Sequence, residues 1–204
     1  MATEDPKSQL GETEHGVDVA DHLAFVEAAE DDHALVSFTF GATGSNDDAV
    51  NRTTATIDDY THAGEDHGAD RGHELHFGLP TGVEEGLGFT DPADRYEAIE
   101  GALAGLTACI NGTIQFNALR DGIQVDGVET RVTIPTDLQV LFGLKDAEQS
   151  DEVFGEPSID VEVHGTDLDD EDVAAIEGYY RRSPVWALVT HDHPNDPDVS
   201  VHAG

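Results

Sequence analysis

Apolar side chains recur along this sequence at two periods, and those periods predict most of its elements. In VDVADHLAFVEAAE (17–30), Val19, Leu23, Val26 and Ala29 fall at helical spacing and predict a short amphipathic helix. ALVSFTF (34–40) sets Leu35, Ser37 and Thr39 against Val36, Phe38 and Phe40, the alternation of a half-buried strand. GATGSNDD then reads as a turn, with AVNRTTATID (49–58) as the hairpin partner. Residues 59–89 are rich in glycine, histidine and acids and hold one short strand, HELHFGL.

The strongest pattern runs from Asp91 to Leu119. Tyr96, Ile99, Leu103, Leu106, Ile110, Thr113 and Asn117 follow one another at alternating steps of three and four, which winds them onto one face of a helix. Asp91 as N-cap, Pro92 at the first helical position and Gly122 just past the end bracket it. Gly101, Ala102, Ala104, Gly105, Ala108 and Gly112 fill much of the remaining surface. A helix that is apolar or small on most sides is a buried one, and its glycines predict close packing against another helix.

Strands are predicted at IQVDGVETRVTIP (123–135), LQVLFGL (138–144) and PSIDVEVHG (157–165), the last with Ile159, Val161 and Val163 on one face. TDLDDEDVAAIEGYYRRS (166–183) predicts a second helix, capped by Thr166 or Asp167. Its acids precede its arginines, the order that suits the helix macrodipole. PVWALVTHD gives a last short strand. Residues 1–16 and 191–204 read as flexible tails flanking a single domain over 17–190. With no repeating βα alternation, the class is α+β rather than doubly wound α/β.

Charge changes the picture more than composition does. Among 204 residues, 44 acids face nine lysines and arginines, a net charge of −35. Such a surface repels phosphate backbones and anionic headgroups, which argues against nucleic acid and membrane as partners. No run of ~18 apolar residues occurs, and the first residues lack the basic and apolar regions of an export signal, so the expected location is the cytoplasm. At molar salt the Debye length falls to ~3 Å and most of the self-repulsion is screened. The acids are spread along the chain with apolar periodicity between them. That favours the folded protein of a salt-filled cell over a disordered chain.

Cys109, the single cysteine, excludes an intramolecular disulfide and any multi-cysteine metal site. It reads either as a small core residue or as a reactive thiol, and the second needs a nearby cation and access. His62, His67, His73 and His76 match no established ligand spacing and read as a solvated loop, so neither metal nor cofactor is expected. Gly86-Leu87-Gly88-Phe89 spells a carboxylate-binding loop in the wrong surroundings. No phosphate-binding glycine loop and no G-x-S-x-G elbow appears.

The stretch YEAIEGALAGLTACINGTIQFNALRDGIQVDGVETRV (96–132) resembles the central helix and following strand of the OsmC/Ohr family. LFGLKD (141–146), RRSPVWALVT (181–190) and VNRTTATIDDYTHAG (50–64) are similar to further segments of that family, in the right order. The chain thus looks like an acidic, haloarchaeal-type member, with the resemblance covering residues 17–190. It implies an OsmC-like fold with antiparallel sheets wrapped around a long central helix, two chains intertwined as a homodimer, and both active sites at the interface. It also implies reduction of organic hydroperoxides by a cysteine that an arginine and a glutamate polarise. A second cysteine then resolves the sulfenic acid, and a thiol reductant restores the enzyme.

Carried over to this sequence, the peroxidatic position falls on Cys109, the glutamate on Glu100 and the arginine on Arg52. The resolving position falls on Ser183, which cannot form a disulfide, so the resemblance implies an external thiol. The proline two residues before the family's glutamate is Ala98 here. Nine residues at ~100° and 1.5 Å each put Glu100 about half a turn round from Cys109 and ~13 Å along the axis. Either the helix breaks near Gly101, or Glu100 serves the cysteine of the other subunit. Two functions stay open: a one-cysteine reductase of organic hydroperoxides, and a non-catalytic dimer that binds a small apolar ligand between subunits.

Overall fold

The computed structural model describes residues 10–191 and 197–202, so residues 1–9 and most of 192–204 of the two expected tails lie largely outside it. Residues 10–18, partly assigned to the first tail, form a small hairpin. Strands β1 (Thr13–Glu14) and β2 (Val17–Asp18) pair across His15 and Gly16, both at positive φ, the backbone a two-residue hairpin turn demands. The His15 ring bonds the carbonyl of Val125, which opens a strand later in the chain, and pins the hairpin there. Helix α1 (Val19–Asp31) follows, capped by Asp18.

The strand expected at 34–40 is cut short. Asp32 accepts from the Ala34 amide and starts a 3₁₀ turn over His33–Val36, a local bond that competes with extension. Only β3 (Phe38–Phe40) is extended. It pairs with β6 (Tyr60–His62), which pairs with β7 (Glu65–His67). A second antiparallel sheet joins β4 (Thr43–Asn46), β5 (Thr53–Ile57) and β8 (His73–Phe77) in that order. Helix α2 (Thr81–Leu87) was not predicted. Gly88, at φ 87°, ends it, so the GLGF stretch is a helix terminus.

The long helix is α3 (Ala98–Asp121), closed by Gly122 at φ 77° as predicted. Its start lies later than Asp91: Glu97 is the N-cap, and Glu97 and Glu100 form a reciprocal capping box. Strands β9 (Val125–Thr133) and β10 (Ser158–Gly165) pair antiparallel from Thr133↔Ser158 to a bulge at His164 and Gly165. Residues 138–144 are turns, not a strand. Gly143 is left-handed, and the Leu144 amide returns to the Gln139 carbonyl at 2.8 Å. Helix α4 (Asp170–Tyr179) is capped by Asp169 rather than Thr166 or Asp167, its carboxylate taking the amides of Glu171 and Asp172. The last predicted strand is a helix, α5 (Pro184–Thr190), because Ser183 caps it and Pro184 opens it.

A Cβ on Gly165 would stand 2.5 Å from the Gln124 carbonyl oxygen. Gly165→Ala is therefore expected to cost about 1–3 kcal/mol, seen as a lower denaturant midpoint in molar KCl. An unmoved midpoint would show that the bulge relaxes freely.

The core belongs to one part of the chain. Leu106, Ile110, Ile114, Ala118, Ile123, Val125, Ile176 and Tyr179 form it, with Ile159, Val163 and Trp186 packed against it. Between His33 and Phe77, Arg52 alone is buried. The β3–β6–β7 sheet instead presents rings: His62 stacks on Phe38 at 4.3 Å, and Phe40 is 70% exposed. The strand half has no interior of its own.

Candidate functional site

Arg52 precedes β5, after a turn in which Asn51 takes φ 62°. Its Nε donates to Glu84 Oε1 at 3.0 Å and its Nη2 to Glu84 Oε2 at 2.6 Å. Nη2 also donates to the Asp91 carbonyl at 2.6 Å, and the Phe89 ring lies 5.7 Å from the guanidinium carbon. Glu84, on α2, is fully buried and also accepts from the Ala93 amide at 2.7 Å. This two-pronged pairing fixes the guanidinium plane. Nη1 makes no hydrogen bond among the described residues.

The Arg52 hydrogen bonds hold the Glu84 carboxyl below its usual range, outweighing burial, and the Ala93 amide adds to the effect. A depressed folded value means that the unfolded chain takes up the proton first. The stabilisation is complete above the ordinary carboxylate value and is lost as pH falls through the lower folded one. In molar KCl, acid unfolding of the wild type should take up about one more proton per chain in that window than Glu84→Gln. Matching acid midpoints and slopes would show that the pair adds nothing.

Cys109 is half-buried on α3. It sits turned from Leu106, Ile110 and Ile114, on the side that carries exposed Ala102 and Gly105 and 56%-exposed Phe116. Among the described residues, no hydrogen bond or ion pair reaches its Sγ. Glu100 is exposed, and its Oε2 accepts from the Glu97 amide at 2.8 Å. The structure therefore joins Arg52 to Glu84 and leaves Glu100 and Cys109 on α3, apart from that pair. Sequence reasoning missed Glu84. Pro80 ahead of it was a fair helix signal, but Gly82, Gly86 and Gly88 blurred the period.

Ser183 is 1% exposed, and its Oγ accepts from the Trp186 amide at 3.1 Å. Its hydroxyl is thus committed to starting α5. Nearby, buried Tyr179 donates to Asp121 Oδ2 at 2.7 Å, while Arg120 forks onto the same carboxylate. Burial, then this bond, pushes the Tyr179 hydroxyl well above its ordinary value. The network ties α4 to the end of α3. Among the described residues, no set of three or more His, Cys, Asp and Glu is arranged to hold a metal. His62 bonds the Leu35 carbonyl and His76 bonds Thr54 instead. Among the described residues, no helix is long and apolar enough to cross a membrane.

The architecture is thus a long helix beneath an antiparallel pair, preceded by small antiparallel sheets and followed by short helices. Among solved structures the chain is similar to an OsmC-like protein from Mycoplasma pneumoniae, 17% identical over 74% of this chain and 86% of that one, with a TM-score of 0.50. It is also similar to the organic hydroperoxide resistance protein OhrB of Bacillus subtilis, at 19% identity over 74% and 90% of the two chains, with a TM-score of 0.42. At such identities the likeness concerns the fold. No protein-family model and no curated protein matches the chain.

Proposed function

We propose that this protein is a thiol-dependent reductase of organic hydroperoxides. It works as an intertwined homodimer in the cytoplasm of a salt-accumulating cell. Cys109 is the nucleophile, Arg52 the polarising cation, and Glu84 holds Arg52 in the role that the resemblance gave to Glu100. The observation that carries this reading is the buried Arg52, clamped from behind by Glu84 and the Asp91 carbonyl with Nη1 unengaged. A catalytic guanidinium needs that preorganisation.

The missing interior supports the dimer. Rings on β3 and β6 and the open side of α3 would leave large apolar areas in water, and a second copy covers both. In that arrangement Arg52 of one subunit meets the thiol of the other.

In the first step the Cys109 thiolate attacks the terminal peroxide oxygen. The S–O bond forms, the O–O bond breaks, and the alkoxide leaves and takes a proton to become an alcohol. Arg52 Nη1 stabilises the charge on the departing oxygen. One external thiol then displaces water from the sulfenic acid, giving a mixed disulfide. A second external thiol releases Cys109 and leaves as the disulfide product. Ser183 takes no part.

Mixed dimers test the arrangement. Cys109→Ser and Arg52→Lys are each expected to be nearly inactive alone, but together, refolded as heterodimers, they rebuild one complete site. Activity recovered on mixing supports a site shared between subunits; no recovery rejects it. The competing reading, a non-catalytic dimer holding a small apolar ligand, rests on Ser183 standing in the resolving position. It predicts no peroxide turnover by the wild type at all.

A further inference from the structure

A cleft at the foot of α3 belongs to none of this machinery. Its polar part, about 620 Å³, is lined by His76, Pro80, Asp94, Arg95, Tyr96 and Glu100. Through Tyr96 and Glu100 it runs into an apolar part of about 450 Å³ floored by Leu75, Phe77, Gly101 and Ala104. Ala104 lies five residues before Cys109, so at ~100° per residue the two point about 140° apart round the helix. The cleft opens away from the thiol.

Its polar groups are arranged in an ordered way. Thr54 donates to Asp47 Oδ1 at 3.0 Å, which leaves its oxygen to accept from His76 Nδ1, also at 3.0 Å. That network assigns a proton to His76 Nδ1, while its Nε2 stands 3.9 Å from Glu74 Oε2. Arg95, the one cation in the lining, is neutralised by Asp47 Oδ2 at 2.6 Å and tied to the Phe77 carbonyl. Asp94 and Glu100 have no cation paired to them among the described residues. The Tyr96 ring, 41% exposed and edge-on to Phe77 at 5.0 Å, stands between the polar and apolar halves.

We propose that this cleft binds a small organic cation: a protonated amine on an aromatic or alkyl body. The ammonium group takes Glu100 and Asp94, with Tyr96 beside it and the His76 ring at the rim. The body lies on Leu75, Phe77 and Ala104. In molar salt the net charge of −35 is screened beyond ~3 Å, so rejection of anionic analogues falls to Asp94 and Glu100 at contact.

The test is calorimetric titration of the full chain in molar KCl with 2-phenylethylamine, alongside NMR of the histidine rings. Saturable binding of one amine per chain that moves the His76 signal is expected, with no binding of phenylacetate. Glu100→Gln keeps the helix cap and should weaken binding roughly tenfold to a hundredfold. Ala104→Leu, which fills the apolar floor, should abolish it. Equal binding of phenylacetate, or undiminished binding by both variants, overturns the proposal. So does Ala104→Leu splitting the assembly in sedimentation, since a second copy would then occupy the cleft. Cys109→Ser should bind the amine unchanged, which keeps this result separate from the redox reading.

Discussion

Given less than one equivalent of cumene hydroperoxide in molar KCl, the wild-type chain gains one oxygen atom at Cys109, and Cys109→Ser gains none. Intact-mass analysis before any reductant is added reads this directly. With no second cysteine in the chain, the sulfenic acid has no internal thiol to meet, so it persists until an external one arrives. Turnover should then be supported by small thiols and disappear in Cys109→Ser. Arg52→Lys retains a charge but loses the fork that grips Glu84, so kcat/KM should fall by about 10²–10³, the usual cost of losing one preorganised donor. A wild-type chain that stays at its unmodified mass under excess peroxide would end the redox proposal.

The second large effect is on stability. Among the described residues, the ion pairs between acids and lysine or arginine engage Arg52, Arg95, Arg120 and Lys145 only, against 44 acids in the whole chain. The remaining carboxylates repel one another across an extended surface. Going from 0.1 M to 1 M KCl shortens the Debye length from ~10 Å to ~3 Å and removes most of that repulsion. The melting temperature should climb by roughly 10 °C or more, at about 2–4 °C per kcal/mol for a chain this long. A flat or falling melting temperature over that range would remove the case for a saline habitat.

Where local chemistry and tertiary need agree, the sequence was readable. The three-four rhythm from Ile99 to Asn117, with Gly122 beyond it, was enough for α3, and alternation was enough for β9 and β10. Errors fell where a side chain or a distant group claimed the backbone. Asp91-Pro92 is a good helix start, yet the Asp91 carbonyl and the Ala93 amide are bonded to Arg52 and Glu84, so the helix waits until Ala98. Ser183-Pro184 turned VWALV from a strand into a helix, although its β-branched residues pointed the other way. LQVLFGL failed as a strand because no neighbouring strand pairs with it and Gly143 folds it back.

At the candidate site, Cys109, Arg52 and Glu100 entered through family resemblance, and Ser183 through its conflict with it. The resemblance pointed to Glu100, and spacing along one helix said nothing about Glu84, which meets Arg52 across 32 residues of chain. The motif located an acid nine residues before the cysteine, whereas the arginine's partner was set by burial.

The uneven placement of the core has a consequence for how the molecule comes into being. Residues 38–77 leave the ribosome before the helix and hairpin that carry the interior, and they have almost nothing of their own to condense around. If a second copy completes them, the final stage of assembly is bimolecular, and its rate depends on how many nascent chains are nearby. Dilute refolding would stall with the carboxy-terminal half compact and the amino-terminal strands still open to proteases.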